Sequence, residues 1–192
     1  MTDSPERVDM VFETARLRVR FARPQDAEFL HRLWSEPRVM ANVGFPRGLP
    51  IRLAEVRDLL ARDQERETPF DRRLLVVHKP SAERLGECKL GRPDAEGVCE
   101  TDVKLLPEHW GHKYGQEIKR GLVDYLFTHT DCRVVQATPN KNNAASIKMQ
   151  EAVGGVRVGE KVWKAPEGDD WRTDVQAWVY QVRREDWEQL RK

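Results

Sequence analysis

The chain has almost no surplus of charge. Its 33 lysines and arginines are nearly cancelled by 32 aspartates and glutamates, leaving a formal net charge of +1, whereas a dedicated nucleic-acid binder would be strongly basic. Long apolar runs are missing as well: none approaches the ~18 residues that a membrane-spanning helix needs, and the opening MTDSPERVD is too polar for the core of a signal peptide. A cytoplasmic protein with no membrane partner is expected. Cysteine is scarce: Cys88, Cys99 and Cys132 are odd in number and lack metal-site spacing, so reduced, partly buried thiols are the default, and a Cys88–Cys99 pair facing across a hairpin is the minor alternative. Repeats, low-complexity tracts and linkers are absent, and 192 residues suit one domain over 1–192 with a real core.

What is there suits folding. Hydrophobic residues reach 39 %, with six Trp, six Phe and three Tyr, more than a disordered chain carries. Residues 12–20 alternate apolar and polar after one irregular step, predicting a strand. Pro24 opens a helix whose Phe29, Leu30, Leu33 and Trp34 share a face and which Pro37 ends; a Gly/Pro-rich stretch over 41–50 leads to a second helix through Leu53, Val56, Leu59 and Leu60. Strands are predicted over 72–78, 84–91 and 98–106, a helix over 115–129 and a strand over 133–138. A helix over 143–153, strands over 156–163 and 174–182, and a short helix around Trp187 complete the chain. This mixed order indicates one α/β or α+β sheet domain.

The passage from Val103 to Glu117 carries the most chemical information. A turn rich in small and cationic residues between a strand and a helix presents backbone N–H groups at the positive end of the helix dipole, where phosphates bind. His109, His112 and Lys113 add donors around it. An ordinary βα loop, with Gly111 and Gly115 merely permitting tight turns, is the plainer reading. The G-x-G-x-x-G and G-x-x-x-x-G-K-[ST] spacings are both missing. His109 and His112 lack a third ligand at useful spacing, so no metal is expected.

The run Trp110-Gly111-His112-Lys113-Tyr114-Gly115-Gln116-Glu117 resembles the W-G-x-G-Y-A-x-E segment of the GNAT superfamily of N-acetyltransferases, in its RimJ/RimL-like branch. Asn143-Ala144-Ala145-Ser146, followed by Glu151 and Val153-Gly154, is similar to that branch's N-x-x-S-x-x-x-x-E-x-x-G-F element. Phe12 to Arg20, followed by Arg23-Pro24-Gln25-Asp26-Ala27, is similar to its E-T-x-R-L-x-L-R and R-P-x-D-A start. The resemblance covers residues 12–182. It implies a mixed, mostly antiparallel sheet splayed near its middle, helices on both faces, and acetyl-CoA in the gap. By the same resemblance, backbone groups of Val103, Lys104 and Leu105 pair with the pantetheine arm, and the turn Trp110, Gly111, His112, Lys113, Tyr114 and Gly115 holds the pyrophosphate. Asn143 orders the pantetheine side and Ser146 stands near the thioester. The chain departs from the family in three ways: Lys113 replaces a second glycine, Gly155 replaces an aromatic, and the tyrosine that many members use as general acid is absent, with Met149 and Gln150 in its neighbourhood.

An alkyl amine titrates near the lysine value of ~10.4, so a base must free the nucleophile, and the thiolate leaving group, near ~8.5 by analogy with cysteine, needs an acid. Glu100, where the family motif places a glutamate, is the candidate base. Asp102, two residues on, shares its face and the acceptor side, and two close carboxylates raise one another's pKa; a solvated or cross-strand-paired sheet face is the alternative. The N–H near Val103 is the candidate to polarise the carbonyl and Ser146 to serve the departing sulfur, though Ser146 also suits a plain first helical turn and Asn143 a plain N-cap. Lys164 to Trp171 sets three carboxylates beside an indole, suited to a cationic amine through Asp169 and Trp171, or else forms a solvated hairpin tip. Phe45 and Arg47 are placed opposite by the resemblance. The expected activity is direct acetyl transfer from acetyl-CoA to a primary amine, on a protein N-terminus or a small molecule; a non-catalytic acyl-CoA-binding module is the alternative. Six tryptophans and a terminal helix leave room for a homodimer surface that patterning does not place.

Overall fold

A computed structural model describes residues 10–66 and 68–189; the opening MTDSPERVD lies outside them. Eight strands form one open sheet: β1 (Met10–Glu13), β2 (Leu17–Phe21), β3 (Leu74–His78), β4 (Arg84–Leu90), β5 (Val98–Leu105), β6 (Val134–Ala137), β7 (Val156–Trp163) and β8 (Val175–Arg183), in the order β1-β2-β3-β4-β5-β6-β8-β7. Neighbours run antiparallel except β5 and β6, which are parallel. The helices are α1 (Ala27–Ser35), α2 (Pro37–Met40), α3 (Leu53–Gln64), α4 (Tyr114–His129), α5 (Ala144–Glu151) and α6 (Arg184–Gln189).

Strand alternation sorts the core into two layers. Leu74 and Val76 of β3 join Ile118, Leu122 and Leu126 of α4, while Leu75 between them joins Leu30, Leu33, Val56 and Leu60 of α1 and α3. Each of these fully buried side chains contributes roughly 1.5–3 kcal/mol over its exposed state. The predicted strands and helices recur with shifted ends, with one correction: residues 12–20 are a hairpin, not a single strand. The Thr14 hydroxyl accepts from the Leu17 amide at 3.0 Å, and the Thr14 amide donates to the Leu17 carbonyl at 2.9 Å. That side-chain turn breaks the alternation between β1 and β2.

The R-P-x-D segment has a structural purpose. Asp26 is 0 % exposed; it accepts from Arg20 at 2.8 and 3.0 Å and from the Arg23 amide at 2.9 Å, and pairs with Arg84 at 3.1 Å. Burial pushes its carboxyl up, but these partners outweigh burial and hold it below the usual range. The three cysteines are free and buried. Cys88 stands opposite Val103 and Cys99 opposite Val135, so the Cys88–Cys99 facing pair does not exist; the thiol neighbour of Cys99 is Cys132.

Candidate active site

Strand β5 changes partner along its length. With β6 it makes the pairs Val98–Val134, Cys99–Val135 and Glu100–Gln136, and there the pairing stops, while its ladder with β4 continues to Leu105 opposite Gly86. The two parallel strands separate from that point. Between them opens a cleft of about 750 Å³, bounded by β5, the turn before α4, α5 and the segments around Phe45 and Arg172.

The alternation of an antiparallel ladder decides which β5 groups face the cleft. The Glu100 carbonyl accepts from Gly91, and the Leu106 amide donates to Leu85, so the even-numbered main-chain groups face β4. The Lys104 carbonyl does so too: a Cβ added at Gly86 would stand 2.0 Å from it. The edge facing the gap therefore belongs to Thr101, Val103 and Leu105. This corrects the expectation for Lys104, whose backbone is spent on β4 and whose ammonium joins Asp102 and, at 3.4 Å, Glu87, itself bound by the Trp34 indole at 2.8 Å. The carboxylates around Lys104 raise its pKa against burial.

Asp102 also departs from expectation. Its side chain is 45 % exposed and lines the cleft; one oxygen accepts from the Val103 amide at 2.9 Å and the other meets Lys104. Burial raises its carboxyl, but Lys104 and the Val103 amide outweigh that, so it sits below the usual range rather than being raised by Glu100. Glu100 is exposed at the closed end of the cleft, where it accepts from Gln136 Nε2 at 3.2 Å. At the far end of β5 the Trp110 indole donates to the Leu105 carbonyl at 2.9 Å, tying the strand to the turn.

That turn is held open. Gly111 has φ +81° and a Cβ there would meet nothing within 4 Å. Lys113 adopts φ 62°, ψ 14° with its side chain in solvent, a left-handed conformation that costs a non-glycine residue about 1 kcal/mol or more. The first intrahelical bond of α4 runs from the Glu117 amide to the Lys113 carbonyl at 3.2 Å. The amides of Tyr114, Gly115 and Gln116 precede it and form the orphan donor set of a helix N-terminus.

The hairpin fixes this helix end. Glu117 accepts from the Thr14 hydroxyl, from the Arg16 amide at 2.9 Å and from Arg16 Nε at 2.7 Å; Arg16 also donates to the His112 carbonyl at 3.1 Å and covers the Tyr114 ring at 4.5 Å. Burial raises the Glu117 carboxyl, and these bonds outweigh it and lower it. Two motif pieces separated by about a hundred residues thus close on each other. His112 stacks on Tyr114 outside the cleft wall, and His109 is buried near Glu83, so the two histidines occupy separate settings.

Across the gap, Asn143 caps α5 by accepting from the Ser146 amide at 3.0 Å, and both residues line the cleft. Gly155 approaches the end of α5 so closely that a Cβ would lie 2.7 Å from the Gln150 carbonyl, which leaves no room for an aromatic side chain on this backbone. Phe45 lines the acceptor side with Arg172 over its ring at 4.8 Å, and the Thr173 amide donates to Gly44. Asp169 and Trp171 are not brought to the cleft wall. Asp169 closes its own turn onto the Trp171 amide and Arg172, and Trp171 lies under Arg47 at 4.3 Å. The acidic run is a hairpin tip, and the residues that line the cleft come from its two flanks, Lys164 and Ala165 before it and Arg172 after it. Thr101, Lys119 and Arg172 were missed; the signal for Lys119 was its place on the buried stripe of α4, three and four residues before Leu122 and Val123.

An open sheet that splits between two parallel strands, with a helix N-terminus at the mouth of the split, defines an α/β acyltransferase architecture. Residues 16–156 match the acetyltransferase (GNAT) domain family, and the chain belongs to it and is an acetyltransferase. It is 27 % identical over 147 residues to an uncharacterized N-acetyltransferase p20 of Bacillus licheniformis, covering 76 % of this chain and 82 % of that one. Its fold is similar to that of spermidine N-acetyltransferase from Vibrio cholerae in complex with CoA and spermine (TM-score 0.74, 18 % identity, 91 % of this chain and 99 % of that one). It is also similar to ribosomal-protein-S5-alanine acetyltransferase from Vibrio fischeri (TM-score 0.71, 17 % identity, 92 % and 97 %). Among the described residues no helix is long and apolar enough to cross a membrane.

Proposed function

We propose that the chain is one N-acetyltransferase domain of the RimJ/RimL-like branch that moves an acetyl group from acetyl-CoA to a primary amine by direct attack. The observation that carries this reading is the one-sided edge of β5, with donors and acceptors at Thr101, Val103 and Leu105, running from the open amide turn to a carboxylate at the closed end. The turn fits a diphosphate: three orphan amides, an exposed Lys113 and an unfilled space above Gly111 converge there. Val103 and Leu105, with Asn143 from α5, would hold the pantetheine arm as an added strand. When bound, acetyl-CoA supplies an acetyl thioester, whose carbonyl is activated toward amines.

This chain's residues divide the remaining work. Glu100 takes the proton from the amine, directly or through one water, on the face of β5 that Asp102 shares. The Val103 amide, released from Asp102, is the donor aimed at developing carbonyl charge. Phe45 and Arg172 form the acceptor wall, with Asp102 as its fixed negative charge. The named neighbours include enzymes for spermidine and for a ribosomal protein, which supports an amine acceptor on either a small molecule or a protein N-terminus. A cytoplasmic setting goes with that donor and with three free thiols.

The test is calorimetric titration with acetyl-CoA followed by free-thiol release over an amine panel. Amine-dependent thiol release that drops about 100-fold in Glu100→Gln, with acetyl-CoA affinity kept, is the expected result. Binding without release would favour a non-catalytic acyl-CoA module, and an unchanged rate in Glu100→Gln would remove Glu100 from the base role.

A further inference from the structure

Helix α4 buries a residue that packing alone does not call for. Lys119 lies on the core stripe with Ile118, Leu122 and Val123 and is 1 % exposed, although lysine is almost never fully buried unless paired. Among the described residues its Nζ has one partner, the Thr101 hydroxyl, to which it donates at 2.5 Å. An ammonium carries three donors, and the Lys119 side chain lines the cleft.

Its position on β5 is specific. Thr101 is one residue beyond the last β5–β6 pair, so the Lys119 ammonium stands at the closed end of the split. Alternation along β5 turns Thr101 toward α4 and Glu100 toward the opposite face. The closed end is therefore flanked by a carboxylate on one face of the strand and a buried amine on the other. From Thr101 to Leu105 the edge that β6 leaves unpaired runs roughly 13 Å at ~3.3 Å per residue. An arm that starts at the amide turn and extends along this edge brings its thiol end beside Lys119.

We propose that Lys119 is the proton donor to the departing thiol in the acetyl-transfer reaction assigned above, on which this inference rests. The amine nitrogen forms a C–N bond to the acetyl carbon and yields one proton to Glu100. The C–S bond breaks with its electron pair on sulfur, and the sulfur takes a proton from Lys119 Nζ. Water in the cleft returns the proton from Glu100 to Lys119, so the net change is one amide and one thiol, with no charge left over.

The local electrostatics match this duty. The titratable and charged groups that share the cleft with Lys119 are Lys89 on β4, Glu100, Asp102 and Lys104 on β5, His109 and Lys113 before α4, Tyr114 on α4, Lys148 on α5, and Lys164 and Arg172 of the loop after β7. Burial pulls the Lys119 ammonium down to about 7, and Asp102 is the group whose charge pulls it back up. A thiol near ~8.5 accepts a proton downhill from such an ammonium, and would not from an ordinary lysine near ~10.4.

The experiment titrates the thiol of bound coenzyme A by thiolate absorbance in the wild type and in Lys119→Met, alongside kcat against pH and thermal melting. Thiolate is expected at nearly the same pH in both complexes, since an ammonium near 7 has lost its proton before a thiol near ~8.5 titrates. The kcat of Lys119→Met is expected to fall about 100-fold, its KM for acetyl-CoA to stay within about threefold, and the loss of rate above pH ~7 to disappear. Its melting temperature is expected to be equal or higher, because an apolar side chain escapes the desolvation cost. A thiolate that forms a full pH unit earlier in the wild type, or an unchanged kcat and alkaline limb, would overturn the role of Lys119 while leaving the acetyltransferase reading intact. A wild type that binds no coenzyme A would overturn both. Should Lys119→Met not fold, Thr101→Val answers the same question: an alkaline limb moved to lower pH in its kcat profile supports the proposal and an unmoved one overturns it.

Discussion

The two walls of the cleft are built differently. On the side of the amide turn, the start of α4 is locked from a distant part of the chain, the half-buried Glu117 being held by Thr14 and Arg16. On the acceptor side, the loop after β7 combines exposed local bonds, such as Lys164 to Asp174 and Asp169 to the Trp171 amide, with contacts to the segment 44–47, where the Thr173 amide meets Gly44 and Arg47 covers Trp171. One wall is a fixed cradle and the other a replaceable surface. That division suits an enzyme whose donor is constant across relatives while the acceptor varies.

The largest expected effect removes a buried anchor of the fold outside the cleft lining. Asp26→Ala strands three arginine-side donors around a buried position and should cost about 3 kcal/mol in denaturant unfolding, at the low end for a buried pair because Arg84 is partly solvated. The sign with pH follows from the lowered carboxyls of Asp26 and Glu117. Their contribution is present above the unfolded carboxylate range and is lost as pH falls through the folded values, so the unfolding midpoint should stay level near neutrality and drop below pH ~4. A drop on the alkaline side instead would show that other groups govern stability.

Next comes Glu117→Gln, which keeps the shape but removes the charge from the Thr14 and Arg16 bonds. It should lose about 2 kcal/mol of stability and about tenfold in coenzyme A affinity, measured by calorimetry. Full affinity would mean that the turn holds its form without the hairpin. Lys113→Gly relieves the left-handed backbone and should raise stability by about 1 kcal/mol. A loss of stability would show that the lysine side chain offsets its strain. The smallest effect sharpens the contrast: Asp169→Ala and Trp171→Ala should each change stability by no more than about 0.5 kcal/mol and leave turnover on the preferred amine unchanged, because neither side chain reaches the cleft wall. A lost turnover in either would bring the hairpin tip back into the site.

The same contrast explains what was legible in the sequence. Strand β7 was read at the bounds it has, and α4 within a residue, because turns and periodicity mark them locally. The amide turn and the Asn143 cap were visible for the same reason, since their chemistry lies within a few consecutive residues. The β1–β2 hairpin was not, because a single threonine side chain, Thr14 on the Leu17 amide, closes the turn inside an otherwise alternating run. Asp102 was misjudged because its partner Lys104 is ordered by Glu87 and Trp34, from two other elements. The acidic loop looked like an amine trap from composition alone; the backbone turns those carboxylates outward and presents Arg172 instead. Lys119 was readable in principle as a charged residue on a core stripe, yet its meaning needed the end of the β5–β6 pairing beside Thr101.

The most direct test follows the backbone amide signals of isotope-labelled protein during titration with coenzyme A. The amides of Tyr114, Gly115, Gln116 and Val103 should shift together and saturate with the calorimetric affinity, whereas those of Asp169 and Trp171 should stay in place. A coenzyme that saturates the protein while leaving the first turn of α4 unmoved would contradict the account.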